Sequence, residues 1–216
     1  TRMIRAGLTF DQALAEAQEL GYAEKDPTAD VDGHDACRKI CILAALAYGQ
    51  HIYPEQVATQ GIRSVALEDV SYAESKGYRI KLLGRALRQG EKVCAYVAPH
   101  LVPDSSPLAG VEDVFNAIAL TGNVVGDVMF YGRGAGKLPT ASAVVGDIID
   151  IARDPKRKRH NMWGPGREDL VVSPKNLAVR WYVRADAAPA GVELLSRADA
   201  PEDEKAFLTA AMDEAE

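Results

Sequence analysis

The sequence predicts an α+β protein: a mostly antiparallel β-sheet backed by helices and followed by a short C-terminal extension. Two observations lead there. Apolar residues recur at helical spacing up to Lys76, then give way to paired strand-like runs between residues 79 and 131. One more helical run follows Pro139, before a polar stretch and an acidic, alanine-rich end.

Thr9-Phe10-Asp11-Gln12 is a capping box, in which the Thr hydroxyl and the Gln side chain satisfy opposite backbone groups. Leu14, Ala17, Gln18 and Leu20 continue that helix, and Gly21 stops it. Pro27 breaks helix in the acidic loop that follows. Asp32 and Asp35 can cap a second helix over 32–48, apolar nearly all round and so expected to be buried. A helical turn is expected near Pro54, a short strand over 64–67, and a helix over 67–76 ending at Gly77. Residues 79–87 and 92–98 read as a hairpin around Gln89-Gly90, and 114–121 with 124–131 as another around Gly122-Asn123. A glycine-rich loop, Gly132 to Gly136, leads to a helix over 139–152. Residues 153–176 are polar, basic and rich in Pro and Gly, and read as a linker or long loop. Residues 177–184 read as a strand, and the rest of the extension ends in a helix. The sheet of residues 79–131 is thus backed by helices at 9–20, 32–48 and 139–152. Val93 to Val97 and Val124 to Phe130 are apolar on both strand faces, and these helices are too few to cover both sides. A homodimer through one sheet face is the expected solution.

The chain has 216 residues, 47% apolar and 26% charged, enough for a substantial core. A net charge of −6 excludes a general nucleic-acid surface, and the basic run Lys156 to His160 reads as a solvated loop. No apolar run reaches the roughly 18–20 residues of a membrane span. No signal-peptide pattern opens the chain. Cys37, Cys41 and Cys94 lack C-x-x-C spacing and read as buried thiols of a cytoplasmic protein. The four histidines show no ligand spacing, so no metal site is expected.

The stretch from Gly21 to Lys39 carries the chemistry. Glu24, Asp26, Asp30, Asp32 and Asp35 arrive together at a helix start, where capping needs one acid. Such a cluster suits a cationic group. Lys39, one turn beyond Asp35, could give or take a proton. As a bare i,i+4 partner of Asp35 it would instead contribute only a few tenths of a kcal/mol.

The same stretch, Gly21-Tyr-Ala-Glu-Lys-Asp-Pro-Thr-Ala-Asp-Val-Asp-Gly-His-Asp-Ala-Cys-Arg-Lys39, resembles the signature of homoserine dehydrogenases. Similar family segments follow at Gly77-Tyr78, Pro107-Leu108-Ala109, Phe115-Asn116-Ala117-Ile118 and Phe130 to Asp147, so the resemblance covers residues 1–152. It implies a catalytic and dimerisation domain there. It also implies interconversion of L-aspartate 4-semialdehyde and L-homoserine with NAD or NADP, on the route to threonine, methionine and isoleucine. Lys39 would be the catalytic lysine. Glu24 and Asp35 would bind the substrate's amino group and hydroxyl, with Asp30 in support. Gly132, Gly134, Ala135 and Gly136 are either a plain strand-to-helix turn or, as the resemblance implies, a contact for the nicotinamide end. Lys137 and Leu138 rule out a dinucleotide fingerprint and a Walker A loop there.

No G-x-G-x-x-G fingerprint occurs in the chain, and its first residue is Thr1 rather than Met. The resemblance therefore implies the catalytic part of the family, without the nucleotide-binding domain that holds most of the cofactor. Arg180 to Asp186 is similar to the first strand of an ACT regulatory domain, but the forty residues after the linker are too few for that fold. The alternatives are a non-catalytic dimerisation module and the substrate domain of another amino-acid dehydrogenase.

Overall fold

A computed structural model describes residues 6–21, 25–156 and 162–214. In chain order its elements are α1 (Phe10–Glu19), α2 (Thr28–Val31), α3 (His34–Tyr48), β1 (Ala58–Thr59), α4 (Leu67–Glu74), β2 (Tyr78–Gln89), β3 (Lys92–Pro103), β4 (Phe115–Gly122), β5 (Gly126–Arg133), α5 (Lys137–Arg153), β6 (Val171–Val172), β7 (Val179–Ala185), β8 (Glu193–Leu195) and β9 (Lys205–Met212). The fold is α+β. The described residues divide into two units, one from Thr1–Pro27 with Ser105–His160, the other from Thr28–Asp104 with Asn161–Glu216.

The larger unit is built on the long β2–β3 hairpin, antiparallel from Tyr78↔Pro103 to Gln89↔Lys92. β1 and β6 add to β3 in parallel. Strand alternation puts Leu82, Ala86, Val93, Ala95 and Val97 on one face, and α3 lays Cys37, Cys41 and Ala44 against it. Gly84 lets helix and strand approach closely, since a Cβ there would stand 2.9 Å from the Ile40 Cβ. Burial pushes the Cys41 thiol up to about 12, with neighbouring Cys37 adding to the shift, so it stays protonated in this core. A second cluster joins Tyr72 of α4 to Leu195, Ala206 and Leu208 of the C-terminal sheet, which has the order β7-β9-β8.

The smaller unit holds α1, the β4–β5 hairpin and α5. The capping box forms as read: Thr9 Oγ1 accepts from the Gln12 N–H at 3.3 Å, and Gln12 Oε1 accepts from the Thr9 N–H at 3.0 Å. Phe115 and Tyr131 stack with centroids 4.9 Å apart. No residue of α5 is buried, and Ile148, Phe130 and Leu138 are 58%, 62% and 79% exposed. Among the described residues, no helix is long and apolar enough to cross a membrane.

Several expectations are corrected. The sheet expected over 79–131 is two separate sheets, because among the described residues β4 pairs only with β5. α3 is not buried all round: the sheet covers one face, leaving Ile42 52% and Leu46 43% exposed. Pro27 does not exclude helix. It immediately precedes α2, where a missing N–H costs nothing. The N-cap of α3 is Gly33, at φ 81°, and no side chain caps it. The strand expected at 64–67 lies instead at Ala58–Thr59. The linker is structured in its second half, where Leu170 is buried in the core and Gln56 Nε2 donates to the Arg167 and Glu168 carbonyls. Its polar composition hid that docking. The alanine-rich end forms β9, not a helix, because Ala206, Phe207 and Leu208 fill the C-terminal sheet.

Candidate active site

The acidic segment is positioned by what packs beneath it. Asp32 N–H donates to the Thr28 carbonyl at 2.9 Å, and Gly33 N–H to the Asp30 carbonyl at 3.3 Å. Gly33 turns left-handed, and α3 begins with Cys37 N–H donating to its carbonyl at 2.9 Å. A Cβ at Gly33 would stand 3.2 Å from Thr59 Cγ2 and 3.3 Å from Val97 Cγ1, so this turn sits directly on β1 and β3. Gly61 lies so close to the Val31 carbonyl and the Asp32 backbone that no side chain fits there. Ile62 N–H donates to the Val31 carbonyl at 2.9 Å. Arg63 closes the clamp: its Nε donates to Asp32 Oδ1 at 2.5 Å and its Nη2 to Oδ2 at 3.3 Å.

From this fixed turn α3 presents two of the expected site residues together. Lys39 Nζ lies 2.7 Å from Asp35 Oδ2, with the side chains 60% and 43% exposed. The pair is therefore reachable by a solute, and the ammonium is held on a carboxylate that turns it toward one side of the helix. Asp30 is exposed on α2, one turn earlier in the chain. Glu24 lies outside the described residues. Gly132, Gly134, Ala135 and Gly136 belong to the other unit, where they link β5 to α5. Gly134 N–H donates to the Val114 carbonyl at 3.1 Å, and a side chain at Gly134 would collide with Asn116. Gly136 has φ 109° and its carbonyl accepts from Thr140 N–H at 3.1 Å, which opens α5. At Gly132 there is open space where a side chain would stand. Arg63, thirty-one residues from its partner, is the positioning group that sequence spacing could not reveal.

An ordered, solvent-facing acid–lysine pair next to an acidic turn can hold an ammonium group and move a proton. Residues 1–149 match the family model described as homoserine dehydrogenase. The chain belongs to the homoserine dehydrogenase family. It is 40% identical over 186 residues to the Bacillus subtilis homoserine dehydrogenase, covering 85% of this chain and 43% of that protein. To the Synechocystis homoserine dehydrogenase it is 51% identical over 155 residues, covering 70% and 36%. A solved homoserine dehydrogenase from Thiobacillus denitrificans superposes with a TM-score of 0.83 at 35% identity, over 99% of this chain and 54% of that one. The likeness to that structure thus runs past residue 149, through the C-terminal sheet. The chain spans less than half the length of the two curated relatives.

Proposed function

We propose that this chain is the catalytic part of a homoserine dehydrogenase, acting on L-homoserine and L-aspartate 4-semialdehyde with NAD or NADP. The observation that carries the reading is the solvent-facing Asp35–Lys39 pair at the end of the Gly21–Lys39 signature. When bound, NAD(P) gives or takes the hydride at the substrate's reacting carbon. The chain's own residues handle charge and protons. Reduction of the aldehyde leaves an alkoxide, and the Lys39 ammonium donates the proton that makes it a hydroxyl. In the oxidising direction neutral Lys39 takes the hydroxyl proton. Asp35 holds the Lys39 ammonium in position through an ion pair at 2.7 Å. Glu24 and Asp35 are the carboxylates assigned to the substrate's α-ammonium and hydroxyl, with Asp30 in support. The loop Gly132 to Gly136 offers bare backbone and a free space at Gly132, which fits the approach of a flat nicotinamide ring. A solved hyperthermophilic archaeal homoserine dehydrogenase, 34% identical with a TM-score of 0.52, is in complex with NADPH, which favours a nicotinamide nucleotide here as well.

The test is homoserine-dependent reduction of NAD or NADP. The 216-residue chain alone should be inactive, because hydride transfer needs the nicotinamide held against the substrate. Fused to the part of the Bacillus subtilis relative that this chain does not cover, it should turn over. Steady turnover by the chain alone, or none by the folded fusion, would overturn this assignment.

The reading includes a homodimer. An isolated two-stranded ribbon is marginal in water, yet β4–β5 is largely exposed, as is all of α5. Ile118, Leu120, Phe130 and Tyr131 of the ribbon and Ile148 of α5 are all exposed, and apolar residues left open in such number favour an interface. Sedimentation equilibrium at micromolar concentration should give twice the 23.2 kDa chain mass. A clean monomer would leave the exposed hairpin to some other partner.

A further inference from the structure

The face of the β2–β3 hairpin turned away from α3 carries a second constellation. Arg85 stands directly opposite Tyr96, and His100 lies two pairs further along the same face. Arg85 Nη1 donates to the Tyr96 hydroxyl at 3.1 Å, and the guanidinium carbon is 5.9 Å from the ring centroid. The Tyr96 and His100 rings stack with centroids 5.6 Å apart. His100 Nδ1 is 2.8 Å from the Ala98 carbonyl, and Nε2 is 3.4 Å from the Tyr96 hydroxyl. A carbonyl only accepts, so Nδ1 carries the hydrogen and Nε2 accepts from Tyr96. The hydroxyl oxygen is then free to accept from Arg85, and the three groups are locked in one direction. Burial keeps His100 below its usual pKa, which favours the neutral ring this arrangement needs.

Arg85 is the anomaly. The other partly buried guanidinium groups reach acids: Arg184 meets Asp69 and Glu204, and Arg197 meets Glu204. Among the described residues Arg85 has the Tyr96 hydroxyl and no carboxylate, which leaves most of its five donors unused. These groups line a cavity of about 950 Å³. The other basic groups on its wall are already paired, Lys175 with Glu214 and Arg180 with Glu193. Its acid Asp69 is engaged by Tyr182 and the Ala66 N–H. Leu177 and Trp181 add apolar wall. This lining matches a planar anion with an apolar body.

We propose that this cavity binds a small organic carboxylate, anchored on the Arg85 fork beside the Tyr96 hydroxyl, with its apolar part against Leu177 and Trp181. The site is separate from the Asp35–Lys39 pair, whose helix packs on the opposite face of the same hairpin. Arg suits this ligand because its fork matches a carboxylate bidentately.

Titrating the 216-residue chain with benzoate, followed by the ring resonances of His100 and by calorimetry, should give saturable binding. Neutral benzamide should bind at least about tenfold more weakly, as expected from losing a charge-assisted hydrogen bond. Arg85→Gln should lose benzoate by a similar factor. Tyr96→Phe, which keeps the ring packing, should weaken it less. If Arg85→Gln fails to fold, the benzoate–benzamide ratio and Tyr96→Phe decide. Equal binding of the two ligands, unshifted His100 resonances, or full benzoate affinity in a folded Arg85→Gln variant would overturn the proposal. Inorganic phosphate displacing benzoate at equal concentration would show a general anion hole instead. Benzoate-driven dissociation of a dimer in sedimentation would show that a second copy's carboxylate fills the cavity, and would also overturn it.

Discussion

Lys39→Ala, measured in the fusion that restores turnover, should lower kcat by about 10²- to 10⁴-fold and change KM little. The proton that Lys39 supplies is needed only as the alkoxide forms, so its loss falls on the chemical step rather than on substrate binding. The same substitution should barely change folding stability. Its ammonium lies 2.7 Å from Asp35, but the side chains are 60% and 43% exposed. An exposed i,i+4 pair contributes only a few tenths of a kcal/mol. The two readouts therefore separate the roles. A large loss of kcat with an unchanged denaturation midpoint identifies a proton donor. An unchanged kcat returns Lys39 to an ordinary surface ion pair. Asp35→Asn should lie between these extremes, because it removes the charge that anchors the ammonium and keeps the side chain's shape.

The features legible in the sequence are those whose cause is local. Thr9 and Gln12 satisfy each other's backbone groups three residues apart, and the bonds form as read. The turn lies at Gly90-Glu91, one residue on from the expected Gln89-Gly90, and sets the register of the long hairpin, which then runs on beyond the strand ends inferred from alternation. Asp35 and Lys39 meet because a helix brings i and i+4 together. What was not legible depends on distant chain. Nothing around Ile42 and Leu46 tells that a sheet covers only the opposite face of α3. Asp32 looked like a helix cap, but Arg63 takes its carboxylate and Gly33 starts the helix. Residues 205–212 are rich in alanine, yet their backbone pairs with β7 and β8, and packing overrides propensity. The Arg85 cluster spans two strands. Its members meet only because the hairpin register sets Arg85 opposite Tyr96.

The largest effect on stability should come from Asp69→Ala. Asp69 is 8% exposed, and three donors converge on it. Tyr182 O–H donates to Oδ1 at 2.8 Å, the Ala66 N–H to Oδ2 at 2.8 Å, and Arg184 Nε lies 3.3 Å from Oδ1. These donors tie the first turn of α4 to β7 of the C-terminal sheet. The tie is doubled one turn along, where Tyr72 O–H donates to Glu204 Oε1 at 2.9 Å and Arg197 reaches the same oxygen at 3.2 Å. Removing the carboxylate strands a buried hydroxyl and a backbone N–H, and leaves Arg184 with Glu204 alone. Breaking one partner out of a buried ionic network costs about 3–5 kcal/mol. Arg184 keeps some solvent, so the lower end, about 3 kcal/mol, is expected from urea denaturation of this chain. Tyr182→Phe removes one bond and should cost about 1 kcal/mol. The pair also has a pH signature. Burial, and then the bond to Asp69, raise the Tyr182 phenol well above the ordinary tyrosine range. A group whose folded pKa is raised contributes stability that is complete below its unfolded pKa and is lost as pH climbs above it. Wild-type stability should therefore fall between pH 10 and 11 more steeply than that of Tyr182→Phe. Parallel curves for the two proteins would mean that Tyr182 ionises as freely in the folded chain as in the unfolded one, and the Asp69 link would then be no tighter than a surface contact.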